Sequence, residues 1–164
     1  EIDYPLPKAD FTANLVTDRP DDTEPTYLVV GGLVFVPLSA EYLSSWGEDW
    51  QRNAPFRLVF YNNQKPETTQ RSLVVLSLVL PDFYNIGYQE RNAQNLVLDK
   101  ANGHLIDTLE SLANALQSPR DGFHVFEFKK GSSIQKIILD AETLEEANQR
   151  IAKRYRIPRM RKLN

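Results

Sequence analysis

With 164 residues, 41% of them apolar, the chain has enough material for one domain with a real core. The absence of cysteine excludes disulfides, thiolate zinc sites and cysteine nucleophiles, and no apolar run approaches the about 18 residues a membrane span needs. Net charge is only −3 but uneven: residues 1–50 hold ten acids against Lys8 and Arg19, while residues 150–164 hold seven bases and no acid. That asymmetry fits a nucleic-acid tail or, the blander and preferred reading, an acidic linker and a solvated helix end.

Residues 1–25 mix acids with Pro5, Pro7, Pro20 and Pro25, and proline fixes φ and lacks a donor. This stretch reads as an extended linker following a missing upstream domain, with one edge strand near Phe11–Val16, and the domain proper as residues 26–164. Tyr27–Leu38 is apolar and β-branched around Gly31-Gly32, which predicts strand, tight loop, strand, with Pro37 limiting ladder donation. Ser39 is placed to cap a helix running to Trp46, stopped by Gly47, with Tyr42, Leu43 and Trp46 on its buried face. A second helix is expected from Asn53 or Ala54 to Tyr61, with Pro55 in its first turn and Phe56, Val59 and Phe60 as its apolar side. Asn62–Thr69 follows as a polar loop.

Leu73–Leu80 reads as a central strand, Pro81–Gly87 as an aromatic-rich turn and Gln94–Lys100 as another strand. Asn102-Gly103 supplies the two positive φ values of a type I′ turn, after which His104–Ile106 returns as a short strand. Asp107 to Glu110 has capping-box spacing and opens a helix to about Gln117 with the stripe Leu109, Leu112, Ala113 and Leu116. Phe123–Phe128 and Ile134–Leu139 are read as paired strands about a turn at Lys130-Gly131-Ser132. A last helix spans Ala141–Tyr155, with Leu144, Ala147, Ile151 and Tyr155 on one face and charges that complement its dipole. The mixture lacks a βαβ rhythm and predicts the α+β class.

Catalytic chemistry finds no footing in these residues. Only His104 and His124 could serve as a base, and both read as surface or strand histidines. No metal-ligand spacing, phosphate loop or stacking platform is present, and nothing implies a cofactor. What remains is a strand, a Gly-Gly-Leu loop, a second strand and the helix from Leu109. Bare loop N–H groups bind a terminal carboxylate in such an arrangement, and the strand edge adds a peptide. The same glycines are equally read as a plain tight turn or bulge.

The segment YLVVGGLVFVPLSAEYL (residues 27–43) resembles the start of the last PDZ-like domain in a branch of Deg/HtrA serine proteases. Further matches follow in order: Trp46-Gly47-Glu48-Asp49-Trp50, Val74-Val75-Leu76-Ser77, Val79-Leu80, Ile86-Gly87-Tyr88, Val97 with Asn102-Gly103, and Arg154-Tyr155-Arg156-Ile157-Pro158. The resemblance covers residues 25–159. It implies a PDZ-like, partly open β-barrel or sandwich of about six strands, with a helical insertion and a C-terminal helix. It also implies an upstream trypsin-like domain that carries the catalytic triad, so that no catalytic residue falls within this chain.

Carried onto this chain, the resemblance makes Val30, Gly31, Gly32 and Leu33 the carboxylate loop and Val34–Val36, with Phe35, one groove wall. Leu109, Ala113 and Leu116 form the other wall, with Leu105 and Leu112 in the core. The expected function is a non-catalytic module that binds peptide or protein tails, or internal segments, to control proteolysis. The alternative is an oligomerisation scaffold with a closed groove. In either case the insertion Ser39–Asn62 covers the groove or meets another domain, with Tyr42, Trp46 and Trp50 as candidate interface. The expected partners are substrate tails, the upstream protease domain and copies of the same protein, with no nucleic acid and no membrane span. The sequence leaves the compartment open, with an extracytoplasmic (periplasmic) setting favoured.

Overall fold

Alternation along a strand assigns its residues to two faces, and Val74, Val75 and Leu76 are buried on both. Such a strand needs cover from two sides. In the computed structural model, which describes residues 15–16, 24–62, 64, 70, 72–89 and 91–163, that cover comes from two sets of helices. The chain runs through β1 (Tyr27–Val30), β2 (Leu33–Pro37), α1 (Ala40–Ser44), α2 (Trp50–Asn53), α3 (Phe56–Asn62), β3 (Val74–Val79), β4 (Leu96–Ala101) and β5 (His104–Leu105). It continues through α4 (Leu109–Ala115), β6 (Phe123–Phe128), β7 (Lys136–Asp140), α5 (Leu144–Tyr155) and β8 (Arg161–Lys162), with short 3-10 turns at Phe83–Asn85 and Arg91–Ala93. The α+β class is the expected one.

The strands form one antiparallel sheet in the order β7-β6-β4-β3-β2-β1-β8, with β5 attached to β4. Among the described residues it has eight strands rather than about six; two of them, β5 and β8, have two residues each. In β3, Ser77 is an extra residue between the pairs Val34–Leu78 and Phe35–Leu76, and its hydroxyl donates to the Val34 carbonyl at 3.0 Å. Such a bulge bends the strand. The sheet curls until the Gly31-Gly32 turn reaches β7, where a Cβ on Gly31 would lie 2.7 Å from Leu139 Cδ1.

The first core lies between the sheet and α4: Leu28, Val30, Phe35, Leu76, Leu98, Leu112, Phe126 and Leu139 belong to it. Ala147 and Ile151 are the fully buried residues of α5. The second core lies on the opposite face, where Leu38, Leu43, Ala54 and Leu58 of the helical insertion meet Val75 and Val97. Each fully buried Leu or Val contributes about 1.5–3 kcal/mol. Leu15 and Val16, within the stretch read as linker, are also buried in this second core. Residues 11–14 of the expected edge strand, and most of the Asn62–Thr69 loop, lie outside the described residues.

Two local expectations shift. In α3 the buried residue is Leu58, while Phe56 and Phe60 are 82% and 48% exposed. Leu58 and Tyr61, at i and i+3, form a second stripe on α3, and that stripe is the one that docks, with Ala54 buried beside it just before the helix. The α4 cap is Thr108 rather than Asp107: its Oγ1 accepts the Ser111 N–H and Ser111 Oγ accepts the Thr108 N–H, both at 3.0 Å. Both residue pairs have capping-box spacing, so the box moves by one residue.

Candidate functional site

Gly31 and Gly32 have φ of 56° and 87° and join Val30 to its partner Leu33 across a two-residue turn. That is type I′ geometry, and it takes glycine readily. Space imposes a second demand. A Cβ on Gly32 would lie 2.5 Å from the Leu80 carbonyl and 2.4 Å from Asn85 Nδ2. Asn85 Nδ2 donates to the Gly31 and Leu80 carbonyls at 2.8 and 2.9 Å. The Gly31 N–H donates to Asn148 Oδ1 of α5 at 2.8 Å. The turn is therefore buried and clamped, and its Gly31 N–H is not the bare carboxylate donor expected from sequence.

The clamp is braced by α5. Arg150 grips Asp82 with two hydrogen bonds, Nε to Oδ2 at 3.0 Å and Nη2 to Oδ1 at 2.6 Å, and its guanidinium lies 3.7 Å from the Phe83 ring centroid. Asp82 Oδ1 also caps the 3-10 turn through the Tyr84 N–H at 3.0 Å. The Arg150 hydrogen bond, against the opposing effect of burial, holds the Asp82 carboxyl below the usual carboxylate range. The Tyr155 hydroxyl donates to the Pro81 carbonyl at 2.7 Å.

Beside this braced turn lies an open cleft of about 560 Å³. Its floor is Leu28–Val30 of β1; one wall is Ala113, Leu116 and Gln117 at the end of α4. Leu144, Glu145 and Asn148 of α5 close one side, and Arg159, Met160 and Arg161 line the rest. The small side chain of Ala113 leaves room, and the polar rim surrounds an apolar floor, as peptide and ligand clefts do.

Of the residues marked from sequence, Val30, Ala113 and Leu116 line this cleft. Leu33, Phe35 and Leu109 are instead in the first core, and Phe35 stacks on Phe126 at 5.4 Å. Gly31 and Gly32 form the clamped turn. Val34 belongs to β2, which is paired on both sides, to β1 and to β3, so β2 has no free edge for a peptide. The wall nearer the sheet edge is β1, with only the two-residue β8 beyond it. Leu105, placed in the core from sequence, is 42% exposed on β5. Sequence reasoning misses Asn148 and Leu144 as cleft residues; Asn148 interrupts the apolar face of α5 one position after Ala147, a signal visible in the helical spacing.

The insertion does not cover the cleft, because it packs on the opposite sheet face. Tyr42, Trp46 and Trp50 are partly buried against the second core. Tyr42 meets Trp46 edge-on at 5.3 Å and donates to Asn95 Oδ1 at 2.8 Å. Burial pushes its hydroxyl pKa up to about 12. Within the insertion, the rings exposed to solvent are Phe56 and Phe60, 6.5 Å apart.

His124 is buried, with Nδ1 3.2 Å from Asn102 Nδ2. An amide nitrogen only donates, so Nδ1 accepts, and the ring is the neutral Nε2–H form. Burial lowers its pKa. Its role is structural: Asn102 also donates to the Ala115 carbonyl and accepts the Val125 N–H, at 2.9 and 2.8 Å. Among the described residues, no group of three or more His, Asp or Glu is placed to hold a metal ion, and no helix is long and apolar enough to cross a membrane.

Comparison with known proteins agrees with this geometry. A family model described as PDZ domain matches residues 16–162. Protease Do-like 2, chloroplastic, of Arabidopsis thaliana is 32% identical over 145 residues, covering 88% of this chain. The chain spans about a quarter of that relative's length, 23%. With the family model running from the second core through β8, this chain belongs to the PDZ domain family and is related to a protease of the Deg/HtrA type.

Proposed function

We propose that this domain is a non-catalytic recognition module of a serine endopeptidase, taking extended peptide tails or internal segments along β1 beside α4 and so controlling proteolysis. The observation that carries the reading is the cleft itself: Leu28–Val30 of β1, with only the two-residue β8 outside it, faces small and apolar side chains of a helix across about 560 Å³. Strand addition at such an edge supplies backbone hydrogen bonds, and the helix wall selects side chains. The protease enters through the relative, whose name states that activity. The test is fluorescence polarisation with a panel of labelled peptides. Ala113→Arg, which fills the cleft, and Gln117→Trp on its exposed rim are each expected to weaken binding at least about tenfold, a change of about 1.4 kcal/mol. Peptides that bind both variants as well as the unaltered protein would refute the reading.

Exposed Phe56 and Phe60 favour a second role, docking of the insertion onto a copy of the protein or its protease domain. Concentration-dependent association in sedimentation that Phe56→Ser with Phe60→Ser abolishes is the expected sign, and a monomer at all concentrations argues against self-association.

A further inference from the structure

The β1 edge offered by this groove already carries a strand. Tyr27 pairs with Lys162 and Leu28 with Arg161, antiparallel, and the Val29 N–H donates to the Met160 carbonyl at 2.7 Å. The Tyr27 hydroxyl donates to the Arg159 carbonyl at 3.0 Å, Lys162 pairs with Glu24, and Leu163 packs against the first core. Ladder bonds along one strand, with an apolar side chain set into the core beside it, are the interactions by which a sheet edge takes a peptide. Yet β8 has only two residues, and Arg159 and Arg161 are exposed. A pairing that short, with its outer side in water, opens more readily than strands held on both edges.

We propose that Met160–Leu163 is an intramolecular ligand of the groove, lying where a partner segment binds and displaced when one does. This rests on the peptide-groove reading. The ligand class follows from the occupant: an extended segment whose backbone replaces the Val29–Met160 bond and whose aliphatic side chain takes the place of Leu163. A tethered competitor docked nine-tenths of the time lowers a partner's apparent affinity about tenfold.

Three forms of the full chain test it, with the labelled peptide of residues 157–164 as probe. The opened form carries Lys162→Pro and Leu163→Ser. The Val29–Met160 bond sets the ladder alternation, so the Lys162 N–H faces Tyr27, and proline removes it. The locked form carries Tyr27→Cys and Lys162→Cys, an opposed pair within disulfide reach at about 5.5 Å between Cα atoms, in a chain with no other cysteine. The opened form is expected to bind the probe about tenfold more tightly than the unaltered protein. The oxidised lock is expected to bind none until reduced.

Equal affinity in all three forms overturns the proposal while leaving the groove reading intact. A folded opened form that binds no probe, or binding that survives Ala113→Arg, overturns the groove reading and the proposal with it. Should the opened form not fold, hydrogen exchange in the unaltered protein decides. The Val29 amide is expected to exchange at least about a hundredfold faster than that of buried Leu38, which bonds Leu73 at 2.8 Å. Equal protection makes β8 a permanent strand and ends the proposal.

Discussion

Two two-residue turns, Gly31-Gly32 and Asn102-Gly103, share positive φ at both positions, 56° and 87° in one and 51° and 85° in the other. Their surroundings differ. The first is pressed between Leu80, Tyr84, Asn85 and Leu139, whereas a Cβ on Gly103 would meet nothing within 4 Å. In the first turn glycine satisfies both backbone conformation and space; in the second only conformation matters. The second turn is held instead by the Asn102 side chain, which ties β4 to α4 and β6. One turn is thus gripped from outside, beside the groove, and the other grips its neighbours.

The contrast can be broken most forcefully at Gly32. Gly32→Ala places a methyl within 2.5 Å of the Leu80 backbone carbonyl at an unfavourable φ, and is expected to cost about 4 kcal/mol or more in urea unfolding. Asn102→Ala leaves the Val125 N–H and Ala115 carbonyl without their side-chain partner and is expected to cost about 3 kcal/mol. Gly103→Ala, strained in φ alone, should cost about 1 kcal/mol. If Gly103→Ala proves as damaging as Gly32→Ala, crowding is not what separates the turns.

The smallest effect concerns pH. Burial lowers the His124 pKa below its ordinary 6.5, so the unfolded chain binds a proton that the folded chain resists. The contribution is fully present above about pH 6.5 and is lost as pH falls through the lowered folded value. The urea midpoint is therefore expected to fall between pH 7 and pH 5, and His124→Gln should flatten that slope. An unchanged slope in the variant would remove His124 from the account.

Both turns are legible in the sequence, because Gly-Gly and Asn-Gly declare their φ values within two residues. The same holds for β3, β6 and α5, whose apolar periods are strong. The groove is legible only in part. Ala113, Leu116 and Val30 stand out, but the sequence puts the strand wall on β2, since it does not state which strand of a hairpin lies beside the helix wall of the groove. Phe56 and Phe60 read as core residues because two helical stripes compete, and only docking against Val75 and Val97 chooses between them.

By itself, the sequence determined turn conformation, most strand and helix periods and the α+β class, all set by interactions within a few residues of each other. Tertiary structure alone decided which edge stays available, which aromatic rings reach solvent, and that residues 160–162 lie along β1. Those outcomes depend on partners as far apart as Tyr27 and Arg159, 132 positions away. No local pattern in Arg161-Lys162 marks a strand; the open backbone groups of β1 make it one.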